Sequence, residues 1–152
     1  MSATHPSLWF FCALGAAIMW GAGYVVTEIL LKKYGLTPAF IMFASQLITL
    51  PIWFLICAYL GQVSPGFGLM VSIPSAAGLV FLQAILIIGG AFLIIHSISM
   101  KNATLASLIE ISYPLFTALF AYLILKDTQV NLWTAAGGLL IISGISLIYL
   151  KS

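Results

Sequence analysis

The chain has 152 residues, of which 63% are hydrophobic and 5% charged; five lysines and three acids leave a formal net charge of +2, and the mean hydropathy is +1.22. A soluble domain carries roughly 25% charged residues because its surface faces water, so this composition excludes a soluble enzyme and a disordered chain. It also excludes a nucleic-acid binder, whose basic patch needs clustered Lys or Arg, since Lys32-Lys33 is the one adjacent pair.

The expected solvent is therefore the bilayer, whose core takes about 20 apolar residues to cross as a helix. Five such runs are predicted, at about 8–31, 38–60, 75–99, 103–125 and 131–150. They are too long and too evenly apolar for barrel strands, and backbone satisfaction in lipid then leaves helices. The predicted fold class is an all-α integral membrane protein, a five-helix bundle in a single domain over residues 1–152. Met1 to Ser7 carries no Lys or Arg, and the first apolar run is longer than a leader's, so no cleavable leader is expected.

The first span contains a stripe of Trp20, Tyr24, Thr27 and Glu28, with Gly21 and Gly23 beside it. Such a face suits a pathway wall with aromatic contacts for an organic substrate. Glu28 precedes Lys32 by four residues, the favourable orientation for an ion pair on a helix surface. Lys32-Lys33-Tyr34-Gly35 stops this span and Pro38 starts the second, in which Gln46 and Thr49 are the polar groups at depth. Gly61 to Pro74, with Pro65, Gly66 and Gly68, reads as a loop. The third span carries Gln83 and, near its end, His96. Cys12 and Cys57 read as two apolar thiols, with a disulfide as the alternative. Asn102-Ala103-Thr104 matches a glycosylation sequon, of a length at which chance matches are common.

The fourth span holds the residue that lipid would most strongly reject. Glu110 lies about 12 Å from the start of its helix at 1.5 Å per residue, with no lysine three or four positions away. Ser107, Tyr113, Pro114 and Thr117 share its face. Pro114 has no N–H for the carbonyl one turn earlier, which predicts a bend and a freed acceptor beside the carboxyl. Intramembrane carboxyls face a bundle interior or a watery cavity. Glu28, His96 and Glu110 fall in the same half of the bilayer, and such a group could exchange protons near neutral pH. The candidate substrate- or proton-binding residues are thus Glu110, Tyr113, Pro114, Trp20, Tyr24, Glu28, His96 and Gln46. The fifth span has a small-residue face at Gly137 and Gly144, with Ala136 and Ser143 beside them, that reads as a packing seam. No cofactor and no metal site is expected, because the two His, two Cys and three acids show no ligand spacing. Phosphate-binding glycine motifs and catalytic triads are not apparent.

The order of these features resembles the EamA domain of the drug/metabolite transporter superfamily, over nearly the whole chain. Ala17-Ile18-Met19-Trp20-Gly21-Ala22-Gly23-Tyr24 resembles its Trp-Gly opening, followed by Lys32-Lys33 and Pro38. Lys101-Asn102-Ala103-Thr104-Leu105-Ala106-Ser107, then Tyr113-Pro114 and the apolar run to Tyr122, resembles its Ala-Ser and proline segment. Thr134 to Gly144 looks like its glycine-containing last helix. Lys126-Asp127 departs from the Gly-Glu usual there. The importance of Glu110 rests on the physics of an intramembrane acid and is not carried over from the family.

The resemblance implies one half-unit of an inverted-repeat transporter, whose path forms between two such units near the midplane. A homodimer, or a heterodimer with a related small subunit, is then the expected assembly. Lys32, Lys33, Lys101 and Lys151 would share one side of the membrane and Lys126 the other, which places the N-terminus outside and the C-terminus in the cytoplasm. The expected function is a secondary transporter of a small organic metabolite or amphipathic compound in the plasma membrane, a proton-coupled exporter rather than an enzyme. Its alternatives are a subunit of a lipid-linked sugar flippase and a non-transporting assembly subunit; the partners are solute or lipid-linked substrate and membrane lipid, not nucleic acid.

Overall fold

The computed structural model describes residues 8–126 and 131–151. The elements are α1 (Leu8–Lys32), α2 (Pro38–Tyr59), α3 (Val63–Ser72), α4 (Pro74–Met100), α5 (Ala103–Glu110), α6 (Tyr113–Phe120), a π-helical turn (Ala121–Leu125) and α7 (Leu132–Lys151). Five stretches are long and apolar enough to cross a membrane: Leu8–Lys32, Pro38–Tyr59, Pro74–Met100, Ala103–Leu125 and Leu132–Leu150. Their ends fall within one residue of those predicted.

Local chemistry sets these ends. Gly35 and Gly61 take left-handed φ values of +68° and +65°, which only glycine adopts freely. At the end of α2 the N–H groups of Gly61 and Gln62 return to the carbonyls of Ala58 and Cys57, a Schellman closure that satisfies two orphan acceptors. Thr37 caps α2, its hydroxyl accepting from Phe40 N at 3.3 Å, and Pro38 occupies the first turn, where no N–H is needed. Asn102 caps α5, its side chain accepting from Leu105 N at 2.8 Å. The sequon asparagine is thus engaged in starting a helix. Asn131 and Thr134 cap α7 reciprocally: Asn131 Oδ1 accepts from Thr134 N at 2.9 Å, and Thr134 Oγ1 accepts from Asn131 N at 2.7 Å.

One predicted feature is corrected and a second is made more specific. The segment read as a loop from Gly61 to Pro74 contains helix α3. Pro65 falls in its first turn and costs no hydrogen bond, while Val63, Phe67 and Met70 recur at helical spacing and give it one apolar face. At ten residues it is too short to span. The fourth run is not one regular helix: α5 stops at Glu110 and α6 starts at Tyr113. Ile111 and Ser112 keep right-handed dihedrals, but Ser112 N bonds Ile109 O and Leu115 N bonds Ser112 O, both three residues back. Pro114, without an N–H and crowding the carbonyl of Glu110, forces this tighter turn.

The chain divides into two compact units, residues 1–26 with 100–152, and residues 27–99. In the first, the buried side chains are Ala103, Ala106 and Ala121, with Gly138 also buried. Small residues there let helix backbones approach closely, and α5 packs against α7. A Cβ built on Gly138 would stand 2.8 Å from Leu115 Cδ2, so this glycine is required by contact. The less exposed face of α7 runs through Gly137, Gly138, Ile141, Gly144, Ile145 and Ile148, and so includes Gly137 and Gly144 of the predicted seam; Ala136 and Ser143 are exposed. In the second unit the buried side chains are Ile41 and Ile98. Cys12 and Cys57 are free thiols.

Candidate functional site

The first unit assembles a site around Glu110. The carboxyl terminates α5 and is half-buried. Its Oε2 accepts a hydrogen bond of 2.6 Å from the hydroxyl of Tyr24, 86 residues earlier on α1. That length is at the short end of the range for O–H···O hydrogen bonds. Among the described residues no lysine forms an ion pair with Glu110, so a phenol is its partner across the helix contact.

Tyr24 is itself held by Trp20, one turn earlier on α1. The rings meet edge to face, with centroids 6.3 Å apart and an interplanar angle of 66°, the geometry in which a positive ring edge meets a negative face. Trp20 remains exposed, as does Tyr113, the first residue of α6. Pro114 is exposed beside it, at the first turn of α6. Trp20, Tyr24 and Glu110 therefore form one connected cluster next to the interrupted backbone at residues 111 and 112. Thr117 closes the adjoining turn by donating to the Tyr113 carbonyl at 3.0 Å. Further along the same span, Thr117, Phe120, Ala121, Ile124 and Leu125 line a shallow groove of about 430 Å³ at the π-helical turn. It is apolar, carries no ionisable group and does not include Glu110.

The remaining predicted residues lie in the second unit. Glu28 bonds Lys32 Nζ at 2.8 Å, the local ion pair that the spacing suggested. His96 is exposed and stacks on Phe92, with ring planes 3° apart and centroids separated by 6.1 Å. Gln46 is exposed and accepts from the Thr49 hydroxyl at 3.3 Å. Among the described residues no three His, Cys, Asp or Glu side chains gather to hold a metal.

Tyr24 and Glu110 could each be singled out from sequence, but their pairing could not. Both sit on helices whose apolar neighbours give no sign of which helix they face. The Gly137-Gly138 pair reads from sequence as a place of close helix contact, and the structure shows that contact at Gly138; its neighbour there, Leu115, could not be read from sequence.

The EamA-like transporter family model matches residues 7–150. The chain belongs to the EamA-like transporter family. No curated protein and no solved structure matches it. It is accordingly an integral membrane protein of a transporter family, not an enzyme, and a small solute is the substrate that membership implies. This EamA-like chain presents the Trp20–Tyr24–Glu110 cluster on its first and fourth spans. The position that departed from the family's Gly-Glu also has a conformational mark: Lys126 ends the π-helical turn with φ +56°, a left-handed geometry that glycine adopts without cost.

Proposed function

We propose that this EamA-like protein is a secondary transporter that moves a small organic metabolite or amphipathic compound outward across the plasma membrane in exchange for protons. Glu110 is the coupling carboxyl. The observation that carries the reading is the 2.6 Å bond from Tyr24, which tethers a half-buried intramembrane acid to a neighbouring helix beside a backbone interruption. An acid at that depth persists where it exchanges a proton or meets a ligand. The bond gives it a resting partner that can be released without breaking an ion pair. Trp20 and Tyr113 supply aromatic walls, and Pro114 sets the turn that separates α5 from α6.

The charge distribution supports an N-terminus outside and a C-terminus in the cytoplasm, with Lys32, Lys33 and Lys101 on the cytoplasmic side. Transport through a path between two such units would need a second, as a homodimer or with a related small subunit.

The test begins with heat stability. A solute that binds the folded protein raises its melting temperature by mass action, which selects substrates from a metabolite panel at two pH values. In proteoliposomes, Glu110→Gln should reduce flux of that solute driven by a proton gradient to the level of empty liposomes, with unchanged elution and melting. Full proton-driven flux in the variant would remove Glu110 from the mechanism. Scrambling of lipid-linked sugars without solute flux would replace the metabolite reading with a flippase.

A further inference from the structure

The second unit contains a helix that the transport reading does not use. Helix α3 is set between two spans with little chain to spare. Leu60, Gly61 and Gln62 separate it from α2, and Ile73 alone separates it from α4. The left-handed Gly61 turns the chain sharply at one end, and at the other the Ile73 N–H returns to the Leu69 carbonyl at 2.9 Å. Both spans therefore end at α3, at the membrane face one crossing away from Lys33, and three residues of extended chain reach only about 10 Å. A helix of ten residues measures about 15 Å, half of the hydrocarbon core. So α3 neither crosses the membrane nor leaves its surface.

Its side chains sort into two rows. Val63, Phe67, Met70 and Val71 recur at helical spacing on one side, and Ser64, Gly68 and Ser72 recur every fourth residue on the other; Leu69 lies outside the apolar row. Val63 and Met70 are half-buried, and α3 packs against α2. Phe67 and Val71 are exposed. The Ser72 hydroxyl donates to the Gly68 carbonyl at 2.8 Å, which satisfies that donor within the helix. No Asp, Glu, Lys or Arg occurs between Lys33 and Lys101, so no charge draws this segment into water. Tyr59 is exposed at the end of α2 and marks the headgroup level, where tyrosine is enriched. Surface helices that seek anionic lipid carry Lys or Arg on their polar face. Helix α3 carries neither, so burial of its apolar row is what holds it.

We propose that α3 is an interfacial helix whose partner is the bilayer itself. Phe67 and Val71 insert among the acyl chains, about 5–10 Å into the headgroup boundary, and Ser64 and Ser72 turn toward the headgroups. This lipid contact is continuous with the lipid-facing surfaces of α2 and α4, and it fixes the depth at which those two spans end. It stands apart from Glu110, which belongs to the first unit, and holds whether or not the protein moves a solute.

The test reads depth along α3 in the full chain, reconstituted in nanodiscs of phosphatidylcholine. A nitroxide is attached at single cysteines: Ser64→Cys, Phe67→Cys, Val71→Cys and Ser72→Cys. Leu86→Cys, midway along α4 and exposed, is the deep reference, and Cys12→Ala with Cys57→Ala removes the native thiols. Accessibility to oxygen, which concentrates among acyl chains, is divided by accessibility to a water-soluble nickel chelate. The ratio at positions 67 and 71 should exceed that at 64 and 72 by at least about threefold and stay below that at 86. Phe67→Glu should lower the ratio at position 71 by at least about twofold. Adding the anionic lipid phosphatidylglycerol should leave every ratio unchanged. If the cysteine-free chain does not fold, para-trifluoromethylphenylalanine at position 67 of the native chain gives the same comparison, with its fluorine relaxed more by oxygen than by the chelate.

Equal ratios at the four α3 positions, or free access of the chelate to position 67, would overturn the insertion and place α3 in water. Shielding of positions 67 and 71 from both reagents would overturn the lipid partner and assign this face to a second copy or another protein. Insertion only with phosphatidylglycerol present would overturn a contact held by apolar burial alone.

Discussion

The two described carboxylates are held in opposite ways. Glu28 finds Lys32 one helical turn away on the same α1, and both belong to the second unit. Glu110 finds Tyr24 on another helix, in the first unit. The Glu28 pair lies near the end of its span and joins two formal charges whose fields solvent and headgroups can screen. The Glu110 pair joins one acid to a phenol on another helix, deeper in a span. A local ion pair depends on one helix alone, whereas the Tyr24–Glu110 bond depends on how two helices pack.

Four substitutions sharpen this contrast between local and tertiary interactions, beyond the transport test at Glu110. The largest effect is expected at Gly138→Leu, which drives a side chain into Leu115 and should destabilise the protein by about 2 kcal/mol in thermal unfolding in detergent. Leu115→Ala should recover part of that loss, which separates a steric clash from any general effect at the site. Next, Tyr24→Phe removes the donor to Glu110 and should cost about 1 kcal/mol by the same measurement, as for hydrogen bonds between membrane helices. No change in unfolding would mean that the pair contributes nothing to the fold.

The two local changes should be comparable or smaller. Lys126→Gly relieves the left-handed strain at φ +56° and should raise stability by about 1 kcal/mol, seen as a higher melting temperature. Glu28→Gln breaks a partly exposed pair and should cost no more than about 0.5 kcal/mol, with the loss shrinking as salt is raised. A larger, salt-insensitive loss there would show that Glu28 acts through more than its local lysine and would erase the distinction between the two carboxylates.

The residues show how far sequence reasoning reached. The five spans, the start of α2 at Pro38 and the Glu28–Lys32 pair were legible because each depends on neighbours within a few positions. The Trp20–Tyr24 contact followed from their helical spacing in the same way. Helix α3 was obscured because its prolines and glycines signal a turn, while only the positions of Pro65 and the apolar residues reveal that a helix survives. The interruption after Glu110 was foreseen as a bend at Pro114, but its tightening into three-residue hydrogen bonds was not.

The amino-acid pattern alone determined that this is a membrane protein of five spans with an acid inside one of them, because burial of the backbone in lipid demands helices and an ionisable residue in such a helix is conspicuous. The tertiary structure decided that Tyr24 is the partner of Glu110 and that Gly138 must be small to admit Leu115. The reason is that lipid-facing and protein-facing surfaces are both apolar, so periodicity does not tell one helix which neighbour it meets; only the packed arrangement does.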